Sequence, residues 1–492
     1  MKFKKYSNYD VMIVGAGISG LYAAINLDRR LRVLLLSKKE FAACNSALAQ
    51  GGIAVALDTD SDSVEAHVTD TLKAGGCANN RANLRIMVEN AVKDYEELVE
   101  LGVDFDDDLG LEGGHSFRRI VHCKDSTGNE IVSVLSEKVK SLENIDCIEY
   151  AHLLRLEKHG DDFFAEISIG SECKQYASAG SVIIATGGIG RVYDFTTNSA
   201  ISTGDGIQFA FNLGAIIKKM NLIQFHPTAF FDRTCEYSED EDTLLITEAT
   251  RGEGAFIYNK NKERFCDELD TRDRVSRRII EEEKRIGSSE FYLDVSFLDS
   301  DFIKTRFPMI CERLLEKGYD FTKEPVPIYP CQHYLMGGIE VNAAGQTNIN
   351  GLFAMGECAF TGVHGVNRLA SNSLLEALVF SRLTAEHINN NVGCVSPRRD
   401  CASGTPIDAD IFDNHGIQPL PKGLCSEIRA IMQKAFFVVP DYDEVREGFE
   451  RITEIKTLLD GDEFAVTPDF VEVRSLATVA YLILKEVMDN AS

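Results

Sequence analysis

Near its start the chain has a short apolar run that leads directly into a glycine motif, DVMIVGAGISGLYAA at residues 10–24. The β-branched residues predict a buried strand, and the pattern after the glycines predicts a helix. In such a unit the first glycine permits a tight turn, the second lets backbone approach a pyrophosphate, and the third lets helix and strand pack closely. The helix start adds N–H donors and partial positive charge. The motif therefore predicts a nucleotide held by Gly15, Ala16, Gly17, Ile18, Ser19 and Gly20.

Length and charge limit the possible functions. The 492 residues are too many for one ordinary domain and indicate two or three. With 51 basic and 77 acidic residues, the net charge is −26. Such a field repels phosphate backbones and anionic lipid, so neither nucleic acid nor a membrane is an expected partner. A small anionic substrate would require a site that gathers positive charge locally.

The cysteine pattern argues against a metal centre. None of the 13 cysteines forms a CxxC pair, which disfavours zinc ribbons, iron–sulfur clusters and c-type haem, and no metal is expected. An odd number of cysteines without a signal peptide is typical of the reducing cytosol, so a cytoplasmic protein is predicted. The longest apolar stretch, VMIVGAGISGLYAAINL, is too short and too rich in glycine for a membrane span.

The second predicted strand, LRVLLLSKKE at residues 31–40, departs from the usual dinucleotide pattern. An acidic residue that binds a ribose hydroxyl is expected at its end, but the chain has Ser37 and Lys38 there. Lys38 favours the 2′-phosphate of NADP, which makes an NADP-dependent reductase one interpretation. In the alternative interpretation Ser37 binds the ribose and Lys38 is solvated.

Later segments favour an extended, buried FAD over a nicotinamide that binds and leaves. CNSALAQGGIAV (44–55) is a small-residue loop able to lie against a flat ring system, and SVIIATGGIGRVY (181–193) is a strand that ends in Thr-Gly-Gly. Asp205 precedes a helix, Glu357 follows a strand, and Asn372 and Ser373 begin a helix whose dipole would stabilise a reduced flavin. The predicted contacts are Lys38, Asn45, Ser46, Ala47, Leu48, Ala49, Gln50, Gly51, Gly52, Asp205, Glu357, Ser373 and Leu374.

Between these segments the chain collects polar groups suited to a substrate. Taken singly, each histidine is as easily a core residue, Arg272 could form only a weak ion pair with Asp273 at a helix N-terminus, and Glu248 could be structural. One further stretch, EGGHSFRRIVH at residues 112–122, places one carboxylate among two arginines and two histidines, and such loops are often only solvated surface. The candidates in the other segments are His226, Thr247, Glu248, Arg251, Arg272, Asp273, His333 and Arg368.

Together, the ordered motifs ALAQGG, QFHPTA, TEATRGEGA, TRD, HYLMGG and GECAFTGVHGVNRLASNSLLE resemble the flavoprotein subunit family of succinate dehydrogenase and fumarate reductase. The match extends from residue 8 to about 390 and is nearest to the members that oxidise L-aspartate. The resemblance implies an α/β fold: a doubly wound, Rossmann-like FAD-binding domain (1–219 and 335–404), an inserted α+β capping domain (220–334) and a C-terminal helical domain (420–492). IRAIMQKAFFVV and VRSLATVAYLILKEVM are predicted core helices of that last domain, and residues 397–423 are the predicted linker.

The resemblance also implies residue roles. His226, Thr247, His333 and Arg368 would form a clamp for two carboxylates, for which a planar guanidinium is well suited. Glu112, in an EGGHS-type loop, would bind the substrate ammonium. Arg272 corresponds to the family's proton donor or shuttle in the fumarate direction, although an arginine should stay protonated; orienting the substrate is the alternative. The neighbours His115, Arg118, Arg119 and His122 would position the loop or interact electrostatically with Glu112, without a catalytic role.

The implied reaction is FAD-dependent oxidation of L-aspartate to iminosuccinate, with oxygen or fumarate as the electron acceptor and a link to quinolinate synthase in NAD biosynthesis. Membrane-bound members have a flavin-bonding histidine where this chain has Asn45, so FAD should be non-covalent. The alternatives are a soluble fumarate reductase or succinate oxidase and, from another class, a flavin-containing binding protein with an inert site.

Overall fold

In the computed structural model, which describes residues 6–57, 61–170, 173–232, 243–392, Phe412 and 416–491, the largest sheet has seven strands. Its strands follow the order β5-β2-β1-β8-β7-β6, with β15 paired to β8. The parallel strands are β1 (Tyr6–Val14), β2 (Val33–Leu36), β5 (Ile145–Ile148), β8 (Cys173–Ile184) and β15 (Leu352–Ala354). Antiparallel β7 (Asp162–Ile169) and β6 (Ala151–His159) extend it.

Both faces of this sheet are buried, as the nearly continuous apolar sequences of β1 and β2 require. Met12 and Leu34 belong to one core, while Ile13 and Leu35 belong to the other. The second core is covered by α1 (Ile18–Asn26), α2 (Val64–Ala74), α3 (Arg81–Leu101), α4 (Thr127–Lys140) and α10 (Asn372–Val392). The first is covered by α5 (Asp205–Asn212) and the C-terminal helices. The predicted doubly wound α/β class is therefore confirmed.

A separate antiparallel sheet lies within the predicted capping segment. Its order is β10-β13-β12-β11, and its core includes Phe230, Ile257 and Phe291. The predicted domain limits themselves stay a prediction. The strands are β10 (Ile223–Phe230), β11 (Phe256–Asn259), β12 (Phe291–Asp294) and β13 (Val326–Leu335); the helices are α6 (Ala249–Gly252), α7 (Arg272–Ile286), α8 (Ser300–Arg306) and α9 (Pro308–Glu316).

The C-terminal segment packs as helices, with one difference from expectation. α11 (Leu424–Ala435), α12 (Tyr442–Leu459) and α13 (Pro468–Ala491) contribute to the first core. The predicted helix IRAIMQKAFFVV ends at Ala435, and the residues that follow form a hairpin of β17 (Phe436–Phe437) and β18 (Val439–Pro440). Aromatic and β-branched residues favour this extended form, and Val438 turns it at φ +56°. Most of the predicted linker lies outside the described residues.

Three short pairings complete the secondary structure. β3 (Ile53–Ala54) pairs with β4 (Ile120–Val121), and β14 (Gly338–Glu340) lies between β9 (Ile217–Lys218) and β16 (Ala359–Phe360). Single 3₁₀ turns occur at Gly190–Val192 and Gly356–Cys358. Over the described ranges, no helix is both long and apolar enough to cross a membrane.

The turn between β1 and α1 needs glycine for two reasons. Gly15 has φ +110°, and a Cβ there would lie 2.2 Å from the carbonyl oxygen of Ala185 at the end of β8. A Cβ on Gly20 would lie 1.9 Å from the carbonyl oxygen of Gly15. Since both obstacles are backbone atoms, no side-chain movement relieves them, and the turn depends on glycine as the sequence predicts.

We therefore expect Gly15→Ala to lower the thermal unfolding temperature much more than Gly160→Ala. Gly160 also has positive φ (+60°), in the β6–β7 turn, but a Cβ there meets nothing within 4 Å. Its replacement should cost only about 1–2 kcal/mol for the left-handed backbone. Circular dichroism melting of both variants measures the difference, and equal shifts would show that the contact with Ala185 is not limiting.

Candidate active site

A cavity of about 490 Å³ runs from the glycine turn to the antiparallel sheet. It opens at the carboxyl ends of β1 and β2, where ligands of doubly wound folds bind. Its lining combines Gly15 and Gly17, the loop 44–52, and residues of the capping segment such as His226 and Arg272. The structure thus brings into one cavity the two groups of residues that the sequence suggested separately, one suited to a cofactor and one to a substrate.

The end near the glycine turn fits an extended dinucleotide. Small residues leave room beside the backbone, and a Cβ on Gly188 would lie 2.1 Å from the Glu357 carboxylate. Among the described residues, Oε1 of Gln50 and Oγ1 of Thr186 are buried without a hydrogen-bond partner. Burial raises the pKa of Glu357 to about 7, with one oxygen accepting from the Leu335 N–H. Unpartnered polar atoms beside a glycine cradle are what a ligand with hydroxyl and phosphate groups would satisfy.

Lys38 lies in the cavity wall but is already paired. Its Nζ lies 2.7 Å from Asp205, 2.8 Å from Glu472 and 2.7 Å from the Thr203 hydroxyl. Burial alone would lower the pKa of Lys38, but the two carboxylates outweigh it and raise the pKa. An ammonium neutralised in this way offers no free charge to a 2′-phosphate, so the NADP interpretation loses its only support. Glu472 comes from α13, a contact that no local sequence pattern signals.

At the other end, two guanidinium groups share one amide. Oε1 of Gln224 accepts from Nη1 of Arg272 at 3.0 Å and from Nη2 of Arg368 at 3.2 Å. Nε2 of Gln224 donates to the Arg368 carbonyl oxygen at 2.8 Å. Sequence reasoning missed Gln224, although a signal exists: it lies two residues before His226 on β10 and therefore on the same face of the strand.

The two arginines differ in their counter-ions. Arg272, the first residue of α7, donates to Glu248, whose other oxygen lies 2.9 Å from Arg251. Arg368 has no ion pair among the described residues, and its buried Nε has no hydrogen-bond partner there. Burial and the nearby Arg272 lower the pKa of Arg368 to about 10, so it remains a cation. A buried cation without a counter-ion is unfavourable, which points to an anionic ligand.

Two neutral histidines line the same end of the cavity. Nδ1 of His226 accepts the Thr228 backbone N–H at 3.2 Å, so its proton is on Nε2, which is buried and unpartnered within the described part of the chain. The His333 ring lies 5.0 Å away, with Nδ1 bonded to Thr197 at 2.9 Å. Burial is the main cause that lowers the pKa of both histidines well below 6.5, and the positive charge of Arg272 is the next. Thr247 lines the same cavity, so all four predicted clamp residues converge.

Glu112 also lines this cavity and is only 3% exposed. Its Oε2 accepts from the Ser371 hydroxyl, and a Cβ on Gly51 would lie 2.6 Å from its Oε1. A Cβ on Gly113 would lie 2.3 Å from Oε1 of Glu248, which explains the glycine after Glu112. Burial and the charge of Glu248 raise the pKa of Glu112. Ser371, Arg272 and Arg368 act in the opposite direction on this pKa, and a cation that enters the cavity would stabilise the ionised form further.

Within the 112–122 loop, residues 119–122 are buried, whereas Ser116, Phe117 and Arg118 are exposed. Arg119 is fully buried and paired with two aspartates, and His122 bonds Asp106 at 2.9 Å. Arg118, whose side chain is 54% exposed, faces solvent. The loop therefore fixes Glu112 in the cavity wall, and the separate roles predicted for its neighbours stay predictions.

Comparisons with known proteins agree with this geometry. Residues 10–374 match the family model described as an FAD binding domain. The chain is 44% identical over 402 residues to L-aspartate oxidase of Clostridium perfringens, covering 80% of this chain and 90% of that protein. It is 35% identical over 527 residues to L-aspartate oxidase of Pseudomonas aeruginosa, covering 99% and 94%. A solved quinol fumarate reductase from E. coli superposes with a TM-score of 0.87 at 26% identity, covering 99% of this chain and 90% of that chain.

The unpaired charge of Arg368 gives a test that needs no turnover. Succinate should raise the unfolding temperature, since a ligand at about 100 times its Kd stabilises the folded state by about 2.7 kcal/mol. Arg368→Gln should abolish the increase, whereas Arg274→Gln, at a side chain of α7 that is 65% exposed, should keep it. An unchanged increase in the Arg368 variant would place the dicarboxylate elsewhere.

Proposed function

The chain belongs to the L-aspartate oxidase family within the FAD-binding flavoproteins, and from this premise we infer that it oxidises L-aspartate to iminosuccinate with FAD. The observation that carries the assignment is Glu112, a buried carboxylate without an ion pair among the described residues, which shares the cavity with the guanidinium and imidazole groups of Arg368, His226 and His333. A dicarboxylate without an amine has no use for that carboxylate. L-aspartate, with two carboxylates and one ammonium, matches all three kinds of group.

Substrate binding follows from these charges. Arg368 receives one carboxylate as its missing counter-ion, and the neutral N–H groups of His226 and His333 complete the clamp. The substrate ammonium lies against Glu112, where its charge offsets the burial and the repulsion from Glu248 that raise the pKa of Glu112. This is how a strongly acidic protein binds an anion: its positive groups are concentrated at one buried point.

FAD, when bound, accepts the hydride that leaves the substrate Cα. The protein positions that carbon, and holding reacting atoms within about 3–3.5 Å supplies much of the catalysis. The amine must also lose a proton for the C=N bond to form, and Glu112, with its raised pKa, is placed to accept it. In this direction Arg272 orients the substrate and stabilises charge, because Gln224 and Glu248 fix the position of its guanidinium. A proton-donor role for Arg272 in the fumarate direction rests on the family resemblance.

Several further features belong to the same proposal. Oxygen or fumarate would serve as the electron acceptor, and fumarate suits the clamp because it carries the same two carboxylates. Iminosuccinate is unstable in water, so quinolinate synthase would consume it in NAD biosynthesis, in the cytoplasm. FAD is held non-covalently, since Asn45 has no nucleophilic atom and its amide bonds Asn198 and the Ser199 N–H. The contacts predicted for the glycine turn and the loop 44–52 would hold it.

The alternative is a soluble fumarate reductase or succinate oxidase. The clamp itself favours it, as does the likeness to quinol fumarate reductase. Glu112 opposes it, because neither succinate nor fumarate brings a cation that this buried carboxylate would bind. An inert flavin-containing binding protein would have no reason to maintain a buried Arg368 without a counter-ion.

Glu112→Gln separates these functions. We expect kcat/KM for L-aspartate to fall about 100-fold, or about 2.7 kcal/mol, because a charged hydrogen bond is lost. Fumarate reduction should stay within a few-fold of wild type. Asp108→Asn is the matched control, since its side chain is 74% exposed in the neighbouring segment.

The pH dependence of kcat/KM tests the role of Glu112 in a second way. Glu112 must be ionised to bind the ammonium, so wild-type kcat/KM for L-aspartate should fall as pH drops through its raised pKa. That acid limb should disappear in Glu112→Gln. Equal losses of aspartate and fumarate activity, with the limb retained, would make Glu112 a structural loop residue.

A further inference from the structure

The side chain that recognises the ammonium is itself held by one hydroxyl. Ser371 donates to Oε2 of Glu112, and its Oγ also accepts the Gly52 N–H at 3.3 Å. Ser371 has φ +57°, a left-handed conformation that is unfavourable for a residue with a Cβ. Such a conformation persists only where the surroundings enforce it, so the groups that hold Ser371 also determine where Glu112 lies.

His115 provides one of those groups. Its ring bonds the carbonyl oxygen of Ala370, next to Ser371, through Nε2 at 3.0 Å, and bonds Nη1 of Arg119 through Nδ1 at 3.1 Å. A guanidinium can only donate, so Nδ1 is the acceptor and the ring proton is on Nε2. Arg119 thereby selects the tautomer that can donate to Ala370. Burial lowers the pKa of His115 to about 4, so the ring is neutral in ordinary buffers.

Arg119 is in turn rigidly placed. It is 0% exposed; its Nε and Nη2 donate to the two oxygens of Asp62 at 2.7 and 2.8 Å, and Nη1 donates to Asp70 at 2.7 Å. Burial alone would lower the pKa of Arg119, but the two carboxylates raise it. Asp70 also accepts from the N–H and the hydroxyl of Ser116, the residue after His115. The contacts fix both the orientation of the guanidinium and the loop that carries the imidazole.

We propose that Arg119 and His115 are positioning residues for substrate specificity. They form a positioning network (Arg119, His115, Ala370 and Ser371) that keeps Ser371 in its left-handed conformation and Glu112 aimed at the substrate amine. The network also contacts Glu112 directly, because the backbone N–H of His115 donates to the Glu112 carbonyl oxygen at 3.2 Å. The proposal rests on the proposed function, since it requires Glu112 to be the ammonium-binding group.

The positioning network should affect recognition of the substrate amine and not recognition of its two carboxylates. Arg368 is only two residues before Ala370, but its backbone and guanidinium are held separately by Gln224, and its Nη1 donates to Ser373. Losing the His115 bond to Ala370 therefore frees Ser371 and Glu112 while the clamp stays in place. A general packing defect would weaken both kinds of recognition together.

The experiment uses FAD-loaded variants of the full chain with two substrates. His115→Leu removes both ring contacts, while His115→Gln supplies an amide that can accept from Arg119 and donate to Ala370. Exposed Arg118→Leu is the control from the same loop. For each, KM and kcat are measured for L-aspartate oxidation and for fumarate reduction with reduced benzyl viologen, and flavin content and unfolding temperature verify folding.

We expect His115→Leu to raise KM for L-aspartate at least tenfold, to change kcat less, and to leave KM for fumarate within about twofold. His115→Gln should recover most of the loss, and Arg118→Leu should match wild type. Equal changes with both substrates, or none, would overturn the proposal. If His115→Leu loses flavin, His115→Asn, which keeps the Arg119 contact but cannot reach Ala370, replaces it with the same expected split.

Glu112→Gln, measured in parallel, distinguishes two kinds of failure. If it discriminates L-aspartate from fumarate but His115→Leu does not, the positioning network is wrong and the proposed function stands. If Glu112→Gln fails to discriminate, the assignment of Glu112 fails first.

Discussion

The site depends on two guanidinium groups that are held close together by one uncharged amide oxygen. Arg272 and Arg368 would repel each other in a buried space, yet both donate to Oε1 of Gln224. Glu248 compensates only the first of these charges, that of Arg272. Burial alone would raise the pKa of Glu248, but Arg272 and Arg251 outweigh burial and lower it. The second keeps an uncompensated charge facing the cavity, and a substrate carboxylate removes that cost on binding.

The fold makes this arrangement possible by joining distant segments. Gln224 begins the antiparallel sheet, Arg272 begins α7, and Arg368 precedes α10 on the main sheet. Each arginine therefore belongs to a different structural unit, and the bridging amide joins them across the cavity. Glu112 arrives from a fourth segment, held by its own buried contacts, so selection for the amine is physically separate from recognition of the carboxylates.

Much of this was predictable from sequence because some signals are local. The strand, glycine turn and helix around Gly15 follow from residue type and spacing, and the motif residues of the clamp follow from family resemblance. Contacts between remote segments were not predictable. Glu472 bonds Lys38, which is 434 residues away in the sequence. Nothing in the residues around Glu472 indicates that partner. Gln224 is uncharged, so a search for titratable groups overlooks it.

The hairpin at Phe436–Pro440 shows a different limit of prediction from sequence. Four apolar residues after a helix fit its periodicity as well as they fit a strand, and only tertiary contacts decide between them. The Phe437 ring lies 5.2 Å from Phe225 and 6.0 Å from Tyr329, so packing against the cap selects the extended form. The 112–122 loop is similar: its charges suggest solvent, and only the buried partners of Arg119 reveal otherwise.

Oxidation at this site requires a dicarboxylate that also carries an amine. The most direct measurement is an anaerobic titration of the purified, FAD-loaded protein with L-aspartate and, separately, with succinate, followed by flavin absorbance near its visible maximum. The account predicts bleaching by L-aspartate and none by succinate, which would bind without reducing the flavin. Bleaching by succinate alone would contradict it and leave a fumarate or succinate enzyme whose Glu112 has no part in choosing the substrate.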